Sequence, residues 1–368
     1  MRHITSKLTS LVLCLLALHA CSDSTSVTKP ATKPIKANVG VQAVQAGTRT
    51  DSLTVVTLNM SVGWQAEDLV VKKLDDSLVV YTAMKDLYTQ YKATLPSLRM
   101  MIQAQALKAH PADVIALQET QVMMAGDTES FSFVDTLLAD LATIGGPTDW
   151  TIVRQNLNPI TLNVPDSVGN RMKLNFWEGN VFLIRKGLTV LDSTSAIYNK
   201  AVNFSILAQP VGSHRGYEKI KVRTPGGATW QVFNTHLEVE LLSLYNLEQG
   251  QELNSAAWDA WQALDTGAQV VVGDLNSLTG KGGVGSLTGS SSGFVDLWPL
   301  AGVKDSIAGW SCCIGAPQGS TQNYDRRIDY ILARNFVRVA NMERISLLQG
   351  EEWASDHAML RATLVQQF

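Results

Sequence analysis

Five short polar blocks, in one fixed order, constrain this chain of 368 residues more than any other feature. Each block follows or closes a short apolar run, which predicts a carboxylate, amide or imidazole group at the end of a strand. The blocks are Gln118-Glu119, Asn234-Thr235-His236-Leu237, Gly273-Asp274-Leu275-Asn276, Arg327-Ile328-Asp329-Tyr330 and Ser355-Asp356-His357. Metal-assisted phosphate chemistry needs such groups at one mouth of a rigid sheet. No block is specific by itself, whereas the ordered set is.

The composition allows one large domain or two small ones with a sizeable core, because 45% of the residues are apolar and only 17% are charged. Charge is unevenly distributed around a formal net value of −3. Residues 151–230 hold ten Lys or Arg against four acids, whereas residues 231–300 hold one Lys against eight acids. This contrast suggests a polar site that handles anions with the help of a cation, although a solvated surface would also explain it.

The N-terminal residues are typical of a lipoprotein signal peptide, which we predict over residues 1–20. Arg2 and Lys7 are followed by an apolar run, Leu11 to Ala20, that is too short to span a bilayer. Leu18-His19-Ala20-Cys21 resembles a bacterial lipobox, with Cys21 as the lipidated residue. Ser22 indicates sorting to the outer membrane, so we expect an exported protein that faces the periplasm or the cell exterior. The alternative is an ordinary cleaved signal peptide.

Residues 21–50 show no apolar periodicity and are predicted to be a flexible tether, and residues 51–368 are predicted to be the folded domain. Only Cys312 and Cys313 fall in that domain. They could form a vicinal disulfide or stay reduced and buried, and the sequence leaves both alternatives open. A catalytic thiol is not expected, because no His or basic group is near in sequence.

The apolar periodicity predicts strands and helices without a regular βαβ rhythm. Helices are predicted at 67–92, Leu98–Ala109, Phe133–Ile144 and Leu244–Ala263. Strands are predicted at Leu53–Leu58, Asp113–Leu117, Trp150–Arg154, Asn180–Ile184, Gln269–Val272, Ile328–Ala333 and Ala358–Leu364, with a hairpin of Lys219–Val222 and Trp230–Asn234. Lys281–Gly293 is predicted to be a Gly/Ser-rich loop. The pattern favours an α/β (α+β) domain with mixed or mostly antiparallel sheets.

The side chains of the blocks have chemistry of their own. Glu119 suits a hard cation such as Mg²⁺, which takes few protein ligands and keeps its waters. Asp274 and Asn276 alternate, so both should point to one side of a strand end. Four histidines follow the predicted signal peptide, and two of them, His236 and His357, lie in the blocks. Imidazole is the usual proton-transfer group near neutral pH.

From Thr57-Leu58-Asn59 to Ser355-Asp356-His357 the chain resembles the endonuclease/exonuclease/phosphatase superfamily. These are metal-dependent phosphodiesterases that include pancreatic-type deoxyribonuclease and neutral sphingomyelinase. The resemblance implies a four-layer sandwich of two packed β-sheets flanked by helices. It also implies a hydrolase that uses Mg²⁺, with Mn²⁺ or Ca²⁺ as alternatives.

The resemblance assigns a role to each polar group. Glu119 would be the principal metal ligand, assisted by Asn59, and Asp356 would lie at the metal or at a second metal. His357 would be the general base and Asp329 the carboxylate that orients it. Asp274 and Asn276 would contact the attacking water and the phosphate, and His236 would stabilise the charge of the scissile phosphate. Arg185 and Arg215 are further candidates for phosphate-side cations.

Two departures accompany the match: sixty positions separate Asn59 from Glu119, and Asn246 stands where we expect Arg. The sequence therefore predicts a monomeric, membrane-tethered, Mg²⁺-dependent phosphodiester hydrolase, with nucleic acid as the leading substrate because of the basic stretch at 151–230. A phospholipid or sphingolipid phosphodiesterase or phosphatase is the first alternative. A non-catalytic binding domain on the same fold is the second.

Overall fold

The computed structural model describes residues 49–63, 75–125, 129–165, 171–207, 209–239, 242–262, 267–301, 309–314, 324–350 and 352–368. The predicted signal peptide, Cys21 and all but the last two residues of the predicted tether lie outside these ranges. So do residues 67–74 of the helix predicted at 67–92. No helix of the described ranges is long and apolar enough to cross a membrane.

The first sheet has eight strands in the order β15-β18-β1-β2-β6-β3-β4, with β5 paired to β6. Its strands are β1 (Thr50–Asn59), β2 (Val114–Gln118), β3 (Val122–Ala125), β4 (Glu129–Ser132), β5 (Trp150–Pro165), β6 (Arg171–Arg185), β15 (Arg338–Ile345) and β18 (Met359–Gln367). β1 and β2 are parallel, and the remaining pairs are antiparallel.

The second sheet has six strands in the order β13-β14-β12-β11-β10-β7. These are β7 (Thr189–Ile197), β10 (Gly216–Arg223), β11 (Thr229–His236), β12 (Ala268–Asp274), β13 (Val295–Asp296) and β14 (Asp329–Arg334). β11 and β12 are the parallel pair of this sheet. Two hairpins stand apart: β8 (Val202–Ile206) with β9 (Gln209–Ser213), and β16 (Leu348–Gln349) with β17 (Glu352–Trp353).

Six helices are present in the described ranges, and most of them cover the outer faces of the sheets. They are α1 (Ser77–Ala93), α2 (Pro96–Ala109), α3 (Phe133–Thr143), α4 (Ser243–Gln262), α5 (Gly282–Thr288) and α6 (Leu297–Leu300). Side-chain caps begin three of them: Asp76 accepts from the backbone N–H of Leu78, Ser132 from that of Asp135 and Asp296 from that of Trp298.

Three apolar clusters hold four layers together. The cluster between the sheets contains Val55 and Phe182 from the first sheet and Trp230 and Val270 from the second, all fully buried. A second cluster packs α1, α2 and α3 on the first sheet, and a third packs α4 and α5 on the second. Helix, sheet, sheet and helix therefore follow one another, which confirms the predicted four-layer sandwich.

Most predicted elements are present, with two differences. The strands predicted at Trp150–Arg154 and Asn180–Ile184 are much longer and form the β5–β6 hairpin. The prediction of a loop over Lys281–Gly293 is wrong, because α5 forms within it. Its glycines allow α5 to approach α4 closely: a Cβ at Gly250 would lie 2.4 Å from the Cα of Gly283.

Both parallel strand pairs end at one mouth of the sandwich. Asn59 is the register partner of Gln118 at the end of β1 and β2, and His236 is that of Asp274 at the end of β11 and β12. β14 and β18 run antiparallel to these strands, so they begin at the same mouth. This topology brings the five sequence blocks together.

Candidate active site

The centre of the mouth holds a His–Asp pair. The Nδ1 of His357 lies 2.9 Å from Oδ2 of Asp329, and both side chains are buried. Burial alone would lower the pKa of His357, but Asp329 and Asp274 outweigh it and raise the pKa well above its usual range. The contact with Asp329 leaves Nε2 facing the mouth, located 3.7 Å from Oδ2 of Asp274. Such an arrangement suits a general base and the carboxylate that orients it.

Asp274 and Asn276 follow β12 on a tight turn. Oδ1 of Asp274 accepts from the backbone N–H of Asn276 (2.9 Å), and Asn276 has a left-handed φ of 46°. The preceding Gly273 permits the close contact with β11, because a Cβ there would lie 1.8 Å from the carbonyl oxygen of Thr235. Burial, followed by the charge of Asp329, raises the pKa of Asp274 to about 7.

His236 is a neutral imidazole beside a cation. The Nη1 of Arg215 donates to its Nδ1 (2.9 Å), which leaves the proton of the ring on Nε2. Burial, Arg215 and His357 all lower the pKa of His236. The side-chain nitrogen of Asn276 donates to the carbonyl oxygen of Leu237 (3.0 Å) and lies 3.0 Å from Nε2; with the ring proton on Nε2, both nitrogens are donors and neither accepts from the other. The mouth therefore holds N–H groups of His236 and Asn276 that suit a phosphate oxygen.

Glu119 lies immediately after β2, with a left-handed φ of 53°. Its Oε1 accepts from Nδ2 of Asn59 (2.8 Å), and its Oε2 accepts from the backbone N–H of Val62 (2.6 Å). The same Nδ2 of Asn59 donates to Asp274 (3.1 Å), while the amide oxygen accepts from Ser61. Asn59 thus faces the site with its amide N–H groups, as a donor that bridges two carboxylates, while its oxygen is bonded to Ser61.

The carboxylates of the mouth fit a divalent cation. Burial, Asp356 and Glu178 raise the pKa of Glu119 to about 7. Oδ1 of Asp356 is buried, and no protein group bonds to it in the described residues. Two buried carboxylates with raised pKa values and an orphaned oxygen indicate more negative charge than the nearby protein cations balance. Ligand atoms of Glu119, His236 and Asp274 lie within 4.8 Å of one another, and Asp356 is near enough to raise the pKa of Glu119, so these groups are the candidates to hold such an ion.

Of the two predicted phosphate-side arginines, only Arg215 is in the mouth. Its side chain is buried, with Nη1 3.4 Å from Oε1 of Glu178 and Nη2 3.7 Å from Oε1 of Glu238. Arg215 therefore pairs with these two carboxylates and fixes the ring of His236. The prediction for Arg185 is wrong. β6 runs antiparallel to β2, which places Arg185 beside Asp113 at the opposite edge of the sheet. It lies six residues along β6 from Gly179, on the order of 20 Å from the end that carries Glu119.

Sequence reasoning missed three residues of the mouth and its support. Arg99 of α2 is fully buried behind Glu119 and Asp356, and burial lowers its pKa to about 10. Its guanidinium donates to Ala354 and Met60 (3.0 and 2.7 Å), which ties the loops of β1 and β18 together. Glu238, which pairs with Arg215, directly follows the Asn234-Thr235-His236-Leu237 block, but the sequence alone gave no reason to assign it a role. Cys312 lies 3.5 Å from Nε2 of His357, a proximity that the separation of 45 positions hides.

Asn246, which replaces the expected Arg, supports the mouth through its amide. Nδ2 donates to the carbonyl oxygens of Glu238 (2.6 Å) and Leu275 (2.9 Å), and Oδ1 accepts from the backbone N–H of Gly283 (2.7 Å). A short, uncharged side chain therefore fixes two mouth loops to the start of α5.

Comparison with known proteins identifies the family and the fold of the chain. The sequence model of the Endonuclease/Exonuclease/phosphatase family matches residues 103–357, well over half of the chain. No curated protein matches the sequence. Similar solved structures include truncated TDP2 of Caenorhabditis elegans, with 16% identity, a TM-score of 0.53 and coverage of 85% of this chain and 97% of that one.

Two bacterial structures of family proteins are similar to the same degree. That of Leptotrichia buccalis is 16% identical (TM-score 0.53), covering 85% of this chain and 99% of its own. That of Bacteroides thetaiotaomicron is 14% identical (TM-score 0.53), covering 87% and 96%. At these identities the structures show a shared fold, and the family model carries the assignment. The chain therefore belongs to the endonuclease/exonuclease/phosphatase family of metal-dependent phosphoester hydrolases.

Proposed function

We propose that the chain is a Mg²⁺-dependent phosphodiester hydrolase and that nucleic acid is its substrate. The single observation that carries the proposal is the geometry of His357. Asp329 holds its Nδ1, and its Nε2 faces Asp274 at 3.7 Å beside the carboxylates that fit a cation. A water molecule next to Nε2 would lose its proton to the imidazole and attack phosphorus.

Each remaining residue acts on the proton or on the phosphate. Asp329 fixes the tautomer of His357, and Asp329 and Asp274 together stabilise the imidazolium after proton transfer. The Nε2–H of His236 and the amide of Asn276 donate to oxygens that gain charge in the transition state. Arg215 is a positioning residue, because it holds the tautomer of His236.

Glu119 and Asp356 would hold the Mg²⁺ ion, and Asn59 would orient Glu119. We favour Mg²⁺ because the candidate ligands are oxygen atoms, which hard cations prefer. When bound, the ion supplies charge that polarises a phosphate oxygen. Mn²⁺ and Ca²⁺ have the same preference for oxygen, so the metal is a variable of the experiment below.

Nucleic acid as substrate is supported by the region at 151–230. β5 and β6 extend past the end of β2 that carries Glu119, and Arg171 and Lys173 lie on this extension. The same region supplies Arg215. Four basic residues of the stretch are paired with acids: Arg154 with Asp135, Lys186 with Asp149, Lys200 with Glu248 and Lys219 with Asp192. The support therefore rests on the reach of the β5–β6 hairpin past the end of β2, not on the charge of the whole stretch.

A lipid phosphodiesterase is the second candidate, favoured by exposed leucines near the mouth. Leu278 follows Asn276 by two residues and is 40% exposed, and Leu348 of the β16–β17 hairpin is 45% exposed. Leu244, at the start of α4, is 71% exposed. Apolar side chains around a polar mouth would favour contact with a bilayer surface.

A substrate panel separates the two candidates. Purified protein is assayed with plasmid DNA, RNA, sphingomyelin vesicles and bis-p-nitrophenyl phosphate, each with Mg²⁺, Mn²⁺, Ca²⁺ or EDTA, and His357→Ala is the inactive control. We expect metal-dependent cleavage of DNA or RNA that is lost in the control. A Leu278→Ser/Leu348→Ser variant should leave this activity unchanged. Cleavage of vesicles alone, reduced in that variant, would replace nucleic acid by lipid.

We also propose that the protein is exported, lipid-anchored through Cys21 and monomeric. Support comes from the basic residues, apolar run and lipobox-like residues of the N-terminus. Metabolic labelling with a palmitate analogue should mark the wild-type chain and fail to mark Cys21→Ser. Equal labelling of both would contradict the anchor, and size-exclusion chromatography with light scattering would test the monomer.

A further inference from the structure

Cys312 and Cys313 are joined by a disulfide beside the proposed general base. Sγ of Cys312 lies 3.5 Å from Nε2 of His357, which is the nitrogen that Asp329 leaves free. Cys312 is fully buried, and Cys313 is partly exposed. A reagent can therefore reach the pair from the side of Cys313 while Cys312 stays in contact with the imidazole.

Backbone hydrogen bonds hold Cys312 in this place. Its N–H donates to the carbonyl oxygen of Arg326 (3.0 Å), and its own carbonyl accepts from Asp325 (2.7 Å) and Arg326 (2.8 Å). The neighbouring Ser311 carbonyl accepts from the N–H of Ala358 (2.7 Å). The pair is thus clamped between the segments that precede β14 and β18, which carry Asp329 and His357. None of these bonds involves a sulfur atom, so the clamp persists when the disulfide is reduced.

We propose that reduction converts this pair into a site for a thiophilic cation such as Zn²⁺ or Cd²⁺, with His357 as the third ligand. The sulfur atoms and a ring nitrogen of His357 lie within 4.8 Å of one another. A dithiol reductant supplies two electrons and two protons, which break the S–S bond and leave two thiols, while the reductant becomes a disulfide. The cation then displaces both thiol protons to solvent and binds two thiolates and Nε2, a donor set typical of Zn²⁺.

This site differs in chemistry from the carboxylates of the mouth. Thiolates select soft or borderline cations, whereas Glu119 and Asp356 select hard ones. Once Nε2 binds the cation, its lone pair cannot accept a proton from water. Occupation therefore removes the general base while the Mg²⁺ ligands remain in place. This inhibitory consequence rests on the proposed function of His357, but the binding of the cation does not.

Binding is tested first, on the full chain with Cys14→Ser and Cys21→Ser so that no other thiols contribute. The protein is reduced with dithiothreitol under argon, desalted, and titrated with Cd²⁺ in excess Mg²⁺. Uptake is followed by equilibrium dialysis and by thiolate-to-Cd²⁺ absorption in the ultraviolet. We expect one Cd²⁺ per reduced chain, none in the oxidised chain and none in Cys312→Ser/Cys313→Ser.

Removal of the third ligand is the matched test. His357→Gln should weaken Cd²⁺ binding by more than the roughly 10- to 100-fold that loss of an outer-shell partner costs. Equal uptake by oxidised and reduced protein, uptake by the double cysteine variant, or unchanged affinity in His357→Gln would each overturn the proposed site. Far-ultraviolet circular dichroism shows whether the variants remain folded.

Inhibition is measured separately on the substrate that the panel identifies. One equivalent of Zn²⁺ should reduce the activity of the reduced protein at least about tenfold at saturating Mg²⁺ and leave the oxidised protein unaffected, since a general base contributes roughly 10²–10⁴ to the rate. Binding of Zn²⁺ without inhibition would overturn the link to catalysis while the binding site stands. If His357→Gln is as active as the wild type, the proposed function of His357 is wrong, whatever the result for cation binding.

Discussion

His357 and His236 are the same kind of side chain, both buried in one mouth, yet their surroundings shift their pKa values in opposite directions. Two carboxylates face His357 and raise its pKa against the effect of burial, whereas burial and Arg215 lower the pKa of His236. Asp329 and Asp274 thus stabilise the imidazolium that forms when His357 takes a proton, which suits a base. His236 is a neutral N–H donor, which suits a phosphate oxygen. Neighbours rather than residue type assign the two roles.

Replacement of the base is the most direct test at this scale. His357→Gln should lower kcat/KM for bis-p-nitrophenyl phosphate by roughly 10²–10⁴, because glutamine cannot take a proton from water. His110→Gln is the matched control, since His110 pairs with Glu343 at 3.3 Å and is not part of the mouth. Activity of His357→Gln within a few-fold of His110→Gln would contradict the assignment.

Glu119 is expected to act through the cation. Glu119→Gln keeps the acceptor for Asn59 but removes the charge, so the Mg²⁺ concentration that gives half-maximal activity should rise at least about tenfold, as expected when a ligand is lost. Activity is measured over a Mg²⁺ titration, with Glu343→Gln as the control. If the Mg²⁺ requirement of Glu119→Gln equals that of the control, Glu119 is not a metal ligand.

At the scale of elements, α5 is the part that sequence reasoning misjudged. Its glycines and serine favour a loop by intrinsic propensity, but tertiary contact with α4 and the Asn246 side chain stabilise the helix. Strand ends were easier to predict, because β-branched runs stop where each polar block begins. The blocks therefore located most of the mouth. Arg99 and Cys312 were missed because they reach the mouth from elements distant in sequence.

The close packing of α4 and α5 can be tested at Gly250. A Cβ there would lie 2.4 Å from the Cα of Gly283, so Gly250→Ala should destabilise the protein by about 1–3 kcal/mol despite the better helix propensity of alanine. Urea denaturation gives the free energy of unfolding. Ser255→Ala, on an exposed position of the same helix, should change it by less than about 0.5 kcal/mol. A Gly250→Ala variant as stable as this control would show that α5 does not pack there.

At the scale of the whole molecule, a buried hydrogen-bond network of polar side chains joins the two sheets below the mouth. Gln118 of the first sheet donates to Oδ1 of Asn234 in the second (2.7 Å), and Asn234 donates to Glu218 (3.4 Å) and to the carbonyl oxygen of Leu117 (3.1 Å). Glu218 is fully buried, and its Oε1 has no partner among the described residues. This network fixes the position of one sheet relative to the other, but it requires the buried carboxyl group of Glu218, one oxygen of which lacks a partner within the described part of the chain.

That acid makes stability depend on pH. Burial raises the pKa of Glu218 well above 4.5, so above this pH the folded protein keeps a proton that the unfolded chain has lost. Stability from this group is complete at low pH and falls as pH rises toward the folded pKa, with a slope of up to about 1.4 kcal/mol per pH unit. Glu218→Gln removes the ionisation and keeps the acceptor for Asn234.

The free energy of unfolding, measured by urea denaturation from about pH 5 to 9, should therefore change less with pH for Glu218→Gln than for the wild type. Glu343→Gln removes an acid whose pKa is lowered, by Asn341 and Arg361 against the effect of burial, so its curve should follow the wild type in this range. Parallel curves for Glu218→Gln and the wild type would mean that Glu218 is ionised in the folded sandwich, and the inter-sheet chain would then need a cation that balances it.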